Sequence, residues 1–194
     1  MFLLYAVVAG IFIGLLLGGR LSGLATIQIR WPAAIVGGFI VQILLFSGPI
    51  AARVGGLGPA IYVASTMLVG AAILRNWRVP GMPVVALGAA CNLLAILANG
   101  GSMPASRAAV ALMGGTSPAL QAGYSNSTVA ADPALWVLTD LFALPRWVPF
   151  ANVFSIGDLL VATGIALVIV LAMRSARRTG SASSATSGSG PASA

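Results

Sequence analysis

The side chain with the most chemical potential in this chain is Asp158, an acid about five residues into an apolar run that starts near Val153. At 1.5 Å per residue it would sit roughly 7 Å along a helix. A carboxylate in such surroundings is costly and marks an ion, proton or ligand site, or else pairs inside the fold. Two readings stand side by side. Asp158 either carries a proton, or it tethers a helix start by bonding to loop backbone or to Arg107 or Arg146, where the helix dipole favours an acid. Ser155, three residues earlier, shares its face, and Asn92 and Asn99, seven apart, share another. Gln42 falls at a compatible depth. Gln42, Asn92, Asn99, Ser155 and Asp158 therefore form a candidate polar cluster. It is either a binding site or a set of interhelical hydrogen bonds worth about 0.6–2 kcal/mol each.

Catalysis finds little support in these residue types. Histidine is absent, so Ser102, Ser106 and Cys91 lack an imidazole base, although a Ser or Thr working with an Asp alone stays open. The three acids, Asp132, Asp140 and Asp158, have no spacing that brings two of them together for acid–base work. No catalytic residue is assigned, and enzymatic activity is disfavoured. A single cysteine excludes an intrachain disulfide. Without histidine, neither zinc nor haem has a ligand set, so no metal and no cofactor is expected. Gly55, Gly56 and Gly58 lack the Lys-Ser/Thr element of a phosphate loop and read as a turn. Asn126-Ser127-Thr128 matches a glycosylation triplet but is too short to mean more than loop.

The elements that must position these residues follow from hydropathy. The chain of 194 residues is 59% hydrophobic and 7% charged, with a mean hydropathy of +1.02. Ten arginines and three aspartates cannot furnish a polar shell, so the lipid bilayer is the expected solvent. A membrane helix needs about 20 apolar residues, with roughly 17–25 tolerated. Five runs qualify, over about 2–19, 32–48, 58–74, 82–99 and 153–173, and they are continuously apolar, which argues against a β-barrel. The fold class expected is an all-α, five-helix transmembrane bundle (1–173). A Ser/Gly/Ala tail (174–194) reads as disordered.

Arginine placement orients the bundle. The first run lacks a basic leader and a cleavage site, so it reads as a retained span and not a signal peptide. Arg20, Arg30, Arg75, Arg78, Arg174, Arg177 and Arg178 then fall on one side, against Arg53, Arg107 and Arg146 on the other. The positive-inside rule sets the N-terminus outside and the C-terminus in the cytoplasm. Arginines at span ends are topology markers, so the net charge of +7 does not imply nucleic acid as a partner.

The outer loop, 100–152, is long enough to be structured or functional. A short helix is expected from Pro104 to Met113 with Ser106 as a possible N-cap and Gly114 as its stop. A second is expected from Pro133 to Leu144, capped by Asp132 and ended by Pro145, with Leu135, Trp136, Leu138, Leu141 and Phe142 on an apolar surface that lies in the outer interface as a lid. Gly10, Gly14 and Gly18 make a close-packing row, and Gly37, Gly38, Gly70, Gly88 and Gly164 thin other helices; packing within the chain is the expected use.

Two segments carry a resemblance. Asn99-Gly100-Gly101-Ser102-Met103-Pro104-Ala105-Ser106 and Asn152-Val153-Phe154-Ser155-Ile156-Gly157-Asp158 resemble signature pieces of an uncharacterised bacterial multi-pass membrane family, a domain of unknown function (5317). Gly18-Gly19-Arg20, Arg30-Trp31 and Pro80-Gly81-Met82 are similar to the same family. The resemblance implies a small helical protein of the bacterial inner membrane with no assigned activity. The outer-loop motif Gly100, Gly101, Met103, Pro104 and Ser106 would pin the lid over the polar cluster. Three functions are open. The first is binding of a lipid or lipophilic ligand, or assembly with another membrane protein or in a homo-oligomer. The second is a proton-coupled transporter or channel using Asp158, and the third a membrane-bound lipid-modifying enzyme.

Overall fold

The computed structural model describes residues 2–112, 127–128, 132–149 and 151–186, and the chain is mostly helical. Among the described residues the α-helices are α1 (Phe2–Leu16), α2 (Pro32–Leu45), α3 (Gly48–Val54), α4 (Gly58–Arg75), α5 (Met82–Ala98), α6 (Arg107–Leu112) and α7 (Ile156–Thr186). Four of them, α2 to α5, begin with a proline in the first turn, where its missing N–H costs nothing and its fixed φ suits the helix. Gly18, with φ 71°, turns the chain out of α1.

Two runs are long and apolar enough to cross a membrane: 49–75, which joins α3 to α4 through a 3-10 turn at Gly55–Leu57, and Ile156–Ser175 within α7. The other three long helices are apolar but shorter, at Leu3–Leu16, Pro32–Leu45 and Met82–Ala98. The second expected run breaks at Ser47, whose hydroxyl donates to the carbonyl of Leu44 at 2.6 Å while its own carbonyl accepts from Ile50 and Ala51.

The five long helices lie in a row. α1 packs on α7, α7 on α5, α5 on α4 and α4 on α2, so the chain neighbours α1 and α2 stand at opposite ends. The linker between them runs across the ends of the others. The Arg20 amide donates to the carbonyl of Met173, Gly23 lies against the backbone of Ala172, and Arg30 is held by Asn76.

Small residues set the spacing. Gly10 and Gly14 sit against Ala166 and Met173 of α7, so this row is used within the chain; Gly18 has left the helix, and Gly19 and Gly23 continue the contact instead. Between α5 and α7, Gly88 faces Gly157 and Gly81 faces Gly164. Both pairs are seven residues apart on antiparallel partners, which brings the two backbones together. The α4–α5 seam is filled by Val69, Ile73, Met82 and Val85, with Val161 and Ile165 of α7 against it.

The long loop, 100–152, departs from its expected form. Met103–Pro104 is a strand (β1) paired in parallel with Ser127–Thr128 (β2), so the first short helix starts only at Arg107. Ser106 does cap it, accepting from the Ala109 amide at 3.0 Å. Met113, Gly114 and Asn126 lie outside the described residues. No helix spans 133–144, and Asp132 caps nothing there. Leu135 takes a left-handed conformation (φ 51°), Trp136–Leu138 makes a 3-10 turn, and Thr139 is extended. Phe142–Ala143 (β3) then pairs antiparallel with Val153–Phe154 (β4), Phe142 stacking on Phe154 at 5.5 Å. Backbone partners captured this segment: the Asp140 amide donates to Pro104 and its carbonyl accepts from Ser106. Beyond Met173 the helix continues as backbone to Thr186, so the part of the tail up to that residue is helical and not irregular.

Candidate functional site

The start of α7 is held by a closed ring of hydrogen bonds. Ser155 is its N-cap: the Ser155 hydroxyl accepts from the Asp158 amide at 3.0 Å, and the Asp158 carboxylate accepts from the Ser155 amide at 3.0 Å. This reciprocal pair is a capping box. Asn92 of α5 closes the ring, its Nδ2 donating to Asp158 Oδ1 and its Oδ1 accepting from the Ser155 hydroxyl, both at 2.8 Å. Ser155 is fully buried. Asp158 is thus bonded to Asn92 and Ser155 and not to Arg107 or Arg146. Its carboxylate fixes where α7 begins and how α7 sits on α5.

The other two members of the expected cluster lie elsewhere. Gln42 donates to Ser65 and Thr66 of α4 at 3.3 and 3.2 Å, a bond between α2 and α4 with α5 between it and the helix of Asp158. Asn99 ties the loop to the end of α5: its Oδ1 accepts from the Ala134 amide and its Nδ2 donates to the carbonyls of Ala134 and Ala95, all at 2.8–2.9 Å. The five residues are therefore three separate tethers. Among the described residues every buried side-chain nitrogen and oxygen has a partner.

The outer-loop motif is a folded corner. Gly100 and Gly101 adopt φ 68° and 87°, and a Cβ on Gly101 would stand 2.5 Å from that of Pro59. Met103 is buried with Ala95 and Ile96 beside Leu138. The two motif segments meet, since Ala105 and Ala109 pack with Val153. Tyr5 at the start of α1 donates to the Pro149 carbonyl, which brings α1 to the same corner. A shallow cavity of about 490 Å³ lies here, bordered by Ser106, Arg107, Asp132, Trp136 and Thr139.

A larger cavity, about 860 Å³, lies at the opposite end, between the linker, the α4–α5 turn and α7. Arg30, Arg75 and Arg78 line it with Gln28, Asn76 and Trp77. Asn76 organises it. Its Oδ1 accepts from the Arg30 amide and its Nδ2 donates to the Arg30 and Ala72 carbonyls, each at 2.7 Å. Arg75 lies over the ring of Trp31 at 5.8 Å, a cation–π contact. Arg20 and Arg174 are exposed and do not line the cavity. The side chains of Arg177 and Arg178 lie outside the described residues.

Sequence reasoning missed Asn76. Its signal is faint: an amide between arginines at a helix end reads as an ordinary stop, and its partner is 46 residues away.

No curated protein and no solved structure matches this chain significantly. A family model does match, over residues 26–170, which include both motif segments and the capped start of α7; it is described as a family of unknown function (DUF5317), and the chain belongs to that family.

Proposed function

We propose that the chain is a multi-pass protein of the bacterial inner membrane, crossing five times with its N-terminus outside and its C-terminus in the cytoplasm. Its apolar row binds a lipid or lipophilic ligand, or holds a second membrane subunit, below the folded outer corner. The placement of tryptophan carries this reading. All four tryptophans are exposed, Trp31 and Trp77 at the arginine-rich ends of the helices and Trp136 and Trp147 in the loop at the other. Indole rings favour the two membrane–water interfaces. Between them, large apolar side chains such as Phe12, Leu16, Ile43, Met67, Leu74 and Leu87 point away from the chain's own core. The polar side chains of Gln42, Ser65 and Thr66, and of Asn92 and Asp158, by contrast, bond to one another between helices or at a helix start. That combination suits a surface solvated by acyl chains or by another membrane helix.

A transporter driven by Asp158 has less support, because both carboxylate oxygens already accept bonds that fix the helix start. The test is native mass spectrometry of the full chain extracted from membranes in mild detergent. Retained lipid, a homo-oligomer or a stoichiometric membrane subunit is the expected result. A monomer that carries none of these and stays dispersed without detergent overturns the proposal.

A further inference from the structure

The cavity of about 860 Å³ falls within the roughly 300–1,000 Å³ of small-ligand sites. Among the described residues no acid offsets its charge. The only acids in the sequence are Asp132, Asp140 and Asp158, and none lines it. Asp158 stands ten residues before Val168, the nearest lining residue of α7, which is about 15 Å of helix. Arg30, Arg75 and Arg78 are exposed, so water solvates them when no anion is bound, but three guanidinium groups around one cavity with no acid beside them favour an anion from outside.

Topology marking alone would scatter arginines over this end, as it does Arg20 and Arg174. Arg30, Arg75 and Arg78 are instead gathered. Asn76 locks the Arg30 peptide beside the α4–α5 turn, and Trp31 carries Arg75 on its face. Planar guanidinium forks match phosphate oxygens in pairs. Trp31 and Trp77, both exposed, stand at the same level. On the membrane reading proposed above, that is the depth of lipid headgroups, where basic pockets between helices hold anionic lipids.

We infer that the cavity lined by Arg30, Arg75 and Arg78 is a binding site for a phosphate-bearing anion, supplied as the headgroup of an anionic membrane phospholipid. The site has no part in the outer corner and rests on the membrane reading only for the source of the ligand.

The test compares the full chain in vesicles of phosphatidylcholine with the full chain in vesicles containing phosphatidylglycerol, followed by native mass spectrometry and thermal unfolding. Wild-type protein is expected to retain phosphatidylglycerol preferentially and to be stabilised by it. The triple variant Arg30→Gln, Arg75→Gln, Arg78→Gln is expected to lose that retention by on the order of 100-fold, from about a fivefold loss per charge near a membrane surface. The variant Arg20→Gln, Arg174→Gln removes two charges from the same end outside the cavity and is expected to keep it. Equal loss per charge in the two variants would mean diffuse surface charge and overturns the site. The wild-type comparison stands even if the first variant misfolds: absence of any preference for phosphatidylglycerol there overturns the lipid source, and overturns the site as well if glycerol phosphate does not bind. In detergent, glycerol phosphate provides the second arm: saturable binding of it without lipid preference keeps the anion site and overturns the lipid source. Insertion into both vesicle types without preference refutes this inference alone, whereas failure to insert refutes the membrane reading.

Discussion

Replacing Gly88 with alanine tests the contact on which the α5–α7 pair is built. A Cβ at this position would meet the Gly157 carbonyl oxygen and stand 2.7 Å from the Val161 amide nitrogen, both backbone atoms that no rotamer change can move. Carbon needs about 3.5 Å from such neighbours, so the helices must part by roughly 0.8 Å. Asn92 lies one turn further along α5, and its 2.8 Å bond to Asp158 would stretch to about 3.6 Å, beyond a useful hydrogen bond. Overpacking of this kind costs about 1–3 kcal/mol, and the weakened bond adds about 1 kcal/mol. Removing a mid-helix glycine returns about 1 kcal/mol. The expected net loss is about 1–3 kcal/mol. Gly70→Ala is the matched control: a Cβ there has open space, so only the gain of up to about 1 kcal/mol remains. Cys91 offers the assay, since it is the only thiol and is half-buried on α5, so a thiol-reactive dye reports unfolding in detergent as temperature rises. If Gly88→Ala unfolds no earlier than wild type, or no earlier than Gly70→Ala, the close approach of α5 and α7 is wrong.

Asp158 and Asn76 give two further expectations. Asp158→Asn allows the Asn92 carboxamide to turn over and the ring of bonds to close without charge, so it is expected to cost about 1 kcal/mol, against about 2–3 kcal/mol for Asp158→Ala, which strands Asn92 and the Ser155 amide. Equal losses for the two, measured in the same thermal assay, would remove the tether reading. Asn76→Ala removes three bonds at 2.7 Å and should free the linker, raising hydrogen exchange at the Arg30 amide by at least about tenfold, from about 1.4 kcal/mol or more of lost protection. Unchanged exchange there would show that something other than Asn76 holds Arg30.

What could be read from the sequence was what a single helix determines by itself. Apolar runs and the glycine row of α1 are local signals: a helix forms in each of the five runs, though three are shorter than expected, and Gly10 and Gly14 pack as a row while Gly18 has left the helix. Neighbourhood was not readable. Gln42 was grouped with Asp158 because both were placed by depth, yet in a row of helices depth is not proximity, and α4 and α5 stand between them. The stretch 133–144 has a helical apolar pattern, but its backbone groups found partners in β1, in Ser106 and in β4, and tertiary pairing overrode the periodicity. The capping box was half visible as Ser155 and Asp158 three apart. Asn92 could join it only because the glycine pairs bring α5 and α7 together, which no one-dimensional pattern states.

The order of the row has a consequence for how the protein is made. α1 leaves the ribosome about 140 residues before α7, the helix against which Gly10 and Gly14 lie. At 5–20 residues per second, that interval is on the order of ten seconds. During it α2, α4 and α5 can assemble with one another, while α1 waits beside them with its glycine face uncovered. α7 must then enter between α5 and α1, both of which it touches. Its arrival is a wedge, and a nascent chain stalled before Ile156 would hold two unsealed glycine surfaces open to any passing helix.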